Sequence, residues 1–180
     1  MVKPIVYLTG AGPGDLGLIT QKAYELIKKA DCIIYDYLAN PDLLKVARDN
    51  CKLIYVGKKG GMHTLDQEGI NKLLVKSAKT YKIIVRLKGG DPFIFGRGAE
   101  EAAYLAKNKI KFEIVPGISS AIAAPAYAGI SLTERTKNSS VGFITGHEDP
   151  KKPKSNINWK ALVDALGTLV FLMGVGNLSR

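Results

Sequence analysis

Five short runs dense in β-branched and aromatic residues recur along the first two thirds of the chain, at 5–9, 32–36, 53–56, 83–87 and 112–115. Each is nearly continuous in its apolar character instead of alternating, which is the pattern of a strand covered on both faces. Helical spacing fills the gaps. Ile19, Ala23, Leu26, Ile27 and Ala30 line one face of a helix whose last turn carries Lys28 and Lys29, where the helix dipole favours cations. Ile70, Leu73, Leu74 and Ala78 repeat the pattern behind a Thr64-x-x-Gln67 capping box, and 100–107 carries a third helix. Strands alternating with helices in this way predict a parallel α/β sheet.

Beyond Val115 the text changes. The stretch 118–128 is apolar all round, so as a helix it is expected to be buried, with Pro125 as its kink. Polar residues dominate 129–140, which reads as a linker. A strand at 141–145, a Lys/Pro loop at 150–155, a helix at 159–166 and a strand at 168–173 follow. This gives an N-terminal α/β domain over 1–128, a linker over 129–140 and a further α/β unit over 141–180. A unit of some 40 residues is too small to bury a core of its own, and its strands read as interior ones. It is therefore expected to be the first part of a larger C-terminal domain.

Glycine-rich loops follow the strands. Gly10-Ala11-Gly12-Pro13-Gly14-Asp15 lies between the first strand and the first helix, and Asp36 closes the second strand. That arrangement invites a dinucleotide reading, although the spacing is GxGxGD and Pro13 removes a donor N–H. Arg86-Leu87-Lys88-Gly89-Gly90-Asp91-Pro92 and the following Phe93–Gly98 bring bare backbone, an acid and aromatics to the end of the fourth strand, where ligands bind in open α/β sheets. There Asp91 could accept from an amine or hydroxyl, and Arg97 could hold a carboxylate bidentately. Lys58 and Lys59 end the third strand on the same edge. His63 and His147 read as hydrogen-bonded loop residues, and two histidines so far apart give a metal site little support.

Composition narrows the partners. Lys and Arg number 26 against 16 Asp and Glu, a formal charge of +10, and 21 of the 26 are lysine. A basic chain suits nucleic acid or an acidic small molecule. The lysines are scattered, and the densest cluster, Lys151, Lys152 and Lys154, has only Phe143 and Trp159 nearby for stacking. Two isolated cysteines, Cys32 and Cys51, suit packing in a reducing cytoplasm. The N-terminus enters a strand at once, without the apolar stretch of a signal peptide, and no apolar run approaches the ~18 residues of a membrane span.

The strings GAGPGD, IIYDYL, YVGKKGG, VRLKGGDPFIFGRG, VPGISSAIAAPAYAGISLTER, TGH and LVFLMG, in this order, resemble the uroporphyrinogen-III C-methyltransferases of the tetrapyrrole methylase family, over essentially the whole chain. The resemblance implies a two-domain tetrapyrrole methylase fold, incomplete at its C-terminal domain, and a homodimer with a cleft between the domains. It implies transfer of methyl groups from S-adenosylmethionine to C2 and C7 of uroporphyrinogen III, giving precorrin-2 for sirohaem and cobalamin synthesis. Pro13, Gly89, Gly90, Asp91, Ile94, Ser119, Ser120 and Met173 match cofactor-contacting positions, with one further contact beyond residue 180. Asp36 and Lys58 match the family's proton acceptor and donor, and Arg97 and Lys59 become candidates for the carboxylates of an octa-anionic substrate, which also gives the +10 charge a purpose. The sequence departs from the family at Tyr37, where arginine is common, at Ser119-Ser120, where a Thr-led pair is common, and at Glu134, where histidine is common. Another precorrin methyltransferase, a nicotinamide-dinucleotide dehydrogenase and a basic nucleic-acid-binding module remain the alternatives.

Overall fold

The computed structural model describes residues 3–57, 65–148 and 155–177, and by compactness the chain forms two units, Met1–Ser120 and Ala121–Arg180. The first holds strands β1 (Ile5–Gly10), β2 (Cys32–Tyr35), β3 (Lys52–Tyr55), β4 (Ile83–Lys88) and β5 (Lys111–Val115), with helices α1 (Gln21–Lys29), α2 (Gln67–Ala78) and α3 (Gly98–Lys107) between them. The strands make one parallel sheet in the order β3-β2-β4-β1-β5.

Both faces of that sheet are covered, which is why its strands read as continuous apolar runs. Successive side chains on a strand point to opposite faces. Ile34 of β2 and Ile84 of β4 pack with Val6, Leu8, Leu74 and Leu105 under α2 and α3. Their neighbours Ile33 and Val85 pack on the other side with Ile27, Ala30 and Leu43. α1 starts where Thr20 accepts a hydrogen bond from the Ala23 N–H. For α2 the expected capping box gives way: Asp66 is the N-cap, accepting from the Gly69 N–H at 2.8 Å, and Gln67 is the first helical residue. A carboxylate placed there also meets the positive end of the helix dipole. Thr64 lies outside the described residues.

α4 (Ser120–Tyr127) contains Pro125, as expected, but it is not buried all round. Ala121 and Ala123 are buried, whereas Ile122, Ala124, Ala126 and Tyr127 are exposed. In the second unit, β6 (Val141–Thr145) and β7 (Thr168–Leu172) pair in parallel, with α5 (Trp159–Ala165) between them in sequence. Trp159 stacks on Phe171 with ring centroids 5.9 Å apart. Among the described residues each of these two strands has one partner, and Phe171 is exposed. The polar stretch 129–140 is folded back on itself. The Asn138 amide donates to the Leu132 carbonyl at 2.7 Å, and its oxygen accepts from the Glu134 N–H at 2.6 Å. Most of the Lys/Pro loop lies outside the described residues.

Candidate functional site

The carboxyl ends of β1, β4 and β5 converge on four glycines, Gly10, Gly12, Gly90 and Gly117. Gly12, with φ +75°, donates its N–H to the Gly90 carbonyl at 3.2 Å and accepts from the Gly90 N–H at 2.7 Å. A Cβ on Gly117 would stand 2.3 Å from the Gly90 oxygen and 2.7 Å from the Gly10 Cα, and one on Gly10 would stand 2.5 Å from the same oxygen. No side chain fits there, so backbone packs directly on backbone. Beside the crossing there is room. A Cβ on Gly90 would meet only the Ser119 Cα, at 3.7 Å, and one on Gly14 would meet nothing within 4 Å.

This geometry counts against the dinucleotide reading. The Gly12 N–H is spent on Gly90, and a separate 3-10 turn at Leu16–Leu18, capped by Asp15, stands between the glycine loop and α1. The loop therefore does not open a long helix whose N-terminus could face a pyrophosphate.

Asp91 braces the crossing. One carboxylate oxygen accepts from the Phe93 N–H at 2.7 Å and the other from the Gly117 N–H at 3.0 Å. Its carboxylate thus ties the loop after β4 to the loop after β5. Asn40 does the same for the loops after β1 and β2, donating to the Gly14 carbonyl at 2.8 Å. Gly89, Gly90, Asp91 and Ser119 are brought together in this way, and Pro13 follows directly on Gly12. Ile94 is half-buried in the adjoining loop. That loop holds two non-glycine residues in the left-handed region, Phe95 at φ 51° and Arg97 at φ 58°, a conformation that stores strain. Arg97 is already engaged in a bidentate pair with Glu100, at 2.7 and 2.6 Å, and this hydrogen bonding holds the Glu100 carboxyl below its ordinary range.

Asp36, at the end of β2, accepts from the Leu38 N–H at 3.1 Å and from Arg86 Nη2 at 3.0 Å. Arg86 belongs to a buried charge cluster that inspection of the sequence did not pick out. Its Nε reaches Glu101 Oε1 at 3.2 Å, and Lys88 Nζ reaches the same oxygen at 2.9 Å. Burial, reinforced by the Arg86 charge, pushes the Lys88 ammonium below its ordinary value despite the Glu101 partner. The signal was present. Arg86 and Lys88 are two apart on a strand, so they share a face, and Glu101 shares a helical face with Ala102 and Leu105.

Ser120 opens α4. Met173, just after β7 in the second unit, is exposed and has φ 60°. Lys58, Lys59 and His63 lie outside the described residues. His147 donates its N–H to the Thr145 hydroxyl at 3.1 Å, in keeping with a loop role. Among the described residues no three ligating side chains cluster to hold a metal, and no helix is long and apolar enough to cross a membrane.

Against known proteins, the family model of tetrapyrrole (corrin/porphyrin) methylases matches residues 5–180. An S-adenosyl-L-methionine-dependent uroporphyrinogen III methyltransferase of Methanosarcina barkeri is 53% identical over 175 residues, covering 97% of this chain and 69% of that protein. A uroporphyrinogen-III C-methyltransferase of Bacillus subtilis is likewise 53% identical over 175 residues, covering 97% of this chain and 68% of its own. Among solved structures, the Thermus thermophilus uroporphyrin-III C-methyl transferase complexed with S-adenyl homocysteine superposes with a TM-score of 0.77 at 39% identity, over 95% of this chain and 70% of that one.

Proposed function

This chain belongs to the tetrapyrrole methylases, and from that premise we propose that it is an S-adenosylmethionine-dependent uroporphyrinogen-III C-methyltransferase of sirohaem and cobalamin biosynthesis. One observation carries the reading: identity of 53% over 97% of the chain to a relative of that activity. In finer detail, the products are methylated at C2 and C7 to give precorrin-2. The enzyme works as a cytoplasmic homodimer without a metal, with an N-terminal domain over 1–128, a linker over 129–140 and a second α/β domain from 141.

The residues present suit the methyl donor. A bare-backbone crossing with open space beside Gly90 lets a flat, hydroxyl-bearing ligand approach the main chain closely. In this reading Pro13, Gly89, Gly90, Asp91, Ile94, Ser119, Ser120 and Met173 hold the donor. Asp91 acts mainly by keeping the loops in register, since both its oxygens brace backbone N–H groups. The donor supplies an activated methyl group on a sulfonium, and the C–S bond breaks onto sulfur as a pyrrole carbon provides the new bonding pair.

The chain's own work is to orient and to move one proton. Holding the two reactants in line is worth up to ~7–11 kcal/mol. The macrocycle, cationic after methylation, sheds a ring proton, which the Asp36 carboxylate accepts for a further ~10²–10⁴-fold. Asp36 can do this because Leu38 and Arg86 fix its two oxygens while its side chain remains partly open to solvent. Lys58 anchors a substrate carboxylate, a role better matched to a neutral-pH ammonium than proton donation. Lys59 and Arg97 serve the other carboxylates, Arg97 by exchanging Glu100 for substrate.

Calorimetry on the purified protein separates this reading from its rivals. S-adenosylhomocysteine is expected to bind with micromolar or better affinity, while NAD and generic duplex DNA bind negligibly at 150 mM salt, about physiological ionic strength. Binding of NAD in place of S-adenosylhomocysteine, or of DNA with a steep salt dependence, would overturn it.

A further inference from the structure

The buried charges behind Asp36 form a column running from the interior to the sheet edge. The Glu101 side chain is 0% exposed, Arg86 3%, Lys88 6% and Asp36 20%, so only the Asp36 end opens to solvent. Four elements build it: Asp36 follows β2, Arg86 and Lys88 sit on β4, Glu101 on α3 and Gln67 on α2. Among the described residues, three donors converge on one Glu101 oxygen. Arg86 Nε at 3.2 Å, Lys88 Nζ at 2.9 Å and Gln67 Nε2 at 3.3 Å all meet Oε1, while Oε2 is buried with no hydrogen-bond partner among the described residues.

An ion cluster that served stability alone would be poorly made this way. Burying charges yields little net stability even when they are fully paired, and a bare buried carboxylate oxygen adds a desolvation cost. The arrangement does fix an orientation. A guanidinium is rigid and planar, so gripping Arg86 at Nε, with Nη1 on the Leu87 carbonyl at 3.1 Å, determines where Nη2 points. It points at Asp36 Oδ2, 3.0 Å away.

We propose that Glu101 is a positioning residue for methyl transfer, acting through Arg86 to set the orientation of the Asp36 carboxylate. The proposal rests on the reading of Asp36 as the proton acceptor. Glu101 touches neither substrate nor donor in this scheme, and its effect reaches the reaction only through Arg86. Lys88 balances the charge that Glu101 brings into the core.

That division of labour can be tested by removing one charge of each sign. The double variant Glu101→Gln/Lys88→Met keeps the buried charge balanced and leaves the Arg86–Asp36 pair in place. It is expected to fold, to lower kcat about tenfold or more, and to leave the donor KM within about twofold. In an Asp36→Asn background the same double change is expected to lower kcat no further, because its only route to the chemistry is gone. Wild-type kcat in the double variant, or a full additional loss in the Asp36→Asn background, overturns the proposal. Should the double variant fail to fold, Gln67→Leu removes one neutral donor from Glu101. A reduced kcat at unchanged thermal midpoint then supports the proposal, and an unchanged kcat overturns it. Asp36→Asn alone separates the two ideas: full activity there defeats the proton-acceptor reading itself, whereas a slow Asp36→Asn beside a fast double variant defeats only the role of Glu101.

Discussion

Gly12 and Gly90 exchange a pair of backbone hydrogen bonds, at 3.2 and 2.7 Å, across the carboxyl ends of β1 and β4. With Gly10 and Gly117 packed against them, the loops after three adjacent strands meet as bare main chain. A seat of this kind depends on the absence of side chains, and it is braced from the side by Asp91.

Gly117→Ala is accordingly expected to damage the seat. Its new methyl would stand 2.3 Å from the Gly90 carbonyl oxygen, and the neighbours are all backbone. A forced shift of this type costs about 1–3 kcal/mol, read from urea unfolding, and S-adenosylhomocysteine affinity should fall with it in calorimetry. Gly14→Ala has open space around the new Cβ but a φ of +118°. It should cost stability through backbone strain alone, on the order of 1–3 kcal/mol, without displacing Gly90.

Asp36→Asn should lower kcat by ~10²–10⁴-fold in an anaerobic steady-state assay, with the donor KM little changed. Thermal stability should fall only modestly, because Arg86 keeps Glu101 and the Leu87 carbonyl as partners.

Asp31 supports the opposite edge of the sheet. Burial alone would raise its pKa, but the Ile83 N–H, the Arg48 guanidinium and the Lys82 N–H together hold it below its ordinary value. A carboxyl with a lowered folded pKa stabilises above its unfolded pKa, and that contribution disappears as pH falls through the folded value. Asp31→Asn should therefore cost about 1 kcal/mol near neutral pH, a figure kept low because the site is partly exposed. The gap between variant and wild type in urea titrations should close below about pH 4.

Cys32 behaves with the opposite sign. Burial, then the nearby Cys51, pushes its thiol from 9.0 up to about 11. The folded state keeps a proton that the unfolded chain gives up, so the contribution is complete below pH 9 and is lost between pH 9 and 11. The stability advantage of wild type over Cys32→Ala should shrink across that window in denaturant titrations.

The strands were legible because the sheet is covered on both faces, so Ile33 and Ile34, or Ile84 and Val85, are apolar for two different cores. The glycine loops were legible as bare backbone at the carboxyl ends of the strands. What the sequence hid was partnership. Asp91 read as a free acceptor, yet it spends its carboxylate on Phe93 and Gly117, the latter 26 residues away. Arg86 and Lys88 drew no reading of their own, yet they are core residues, since only the folded α3 brings Glu101 beneath them. The outward face of α4 was misjudged for a related reason: an all-apolar helix carries no polar stripe to say which side faces out, and here Ala124 and Ala126 are exposed together with Ile122 and Tyr127.

The most direct measurement is nuclear magnetic resonance of the tetrapyrrole after anaerobic incubation of the purified protein with uroporphyrinogen III and S-adenosylmethionine carrying a ¹³C-methyl group. The account predicts labelled methyl groups bonded to the ring carbons C2 and C7. A tetrapyrrole recovered without ¹³C label, from protein shown to bind S-adenosylhomocysteine, would contradict it.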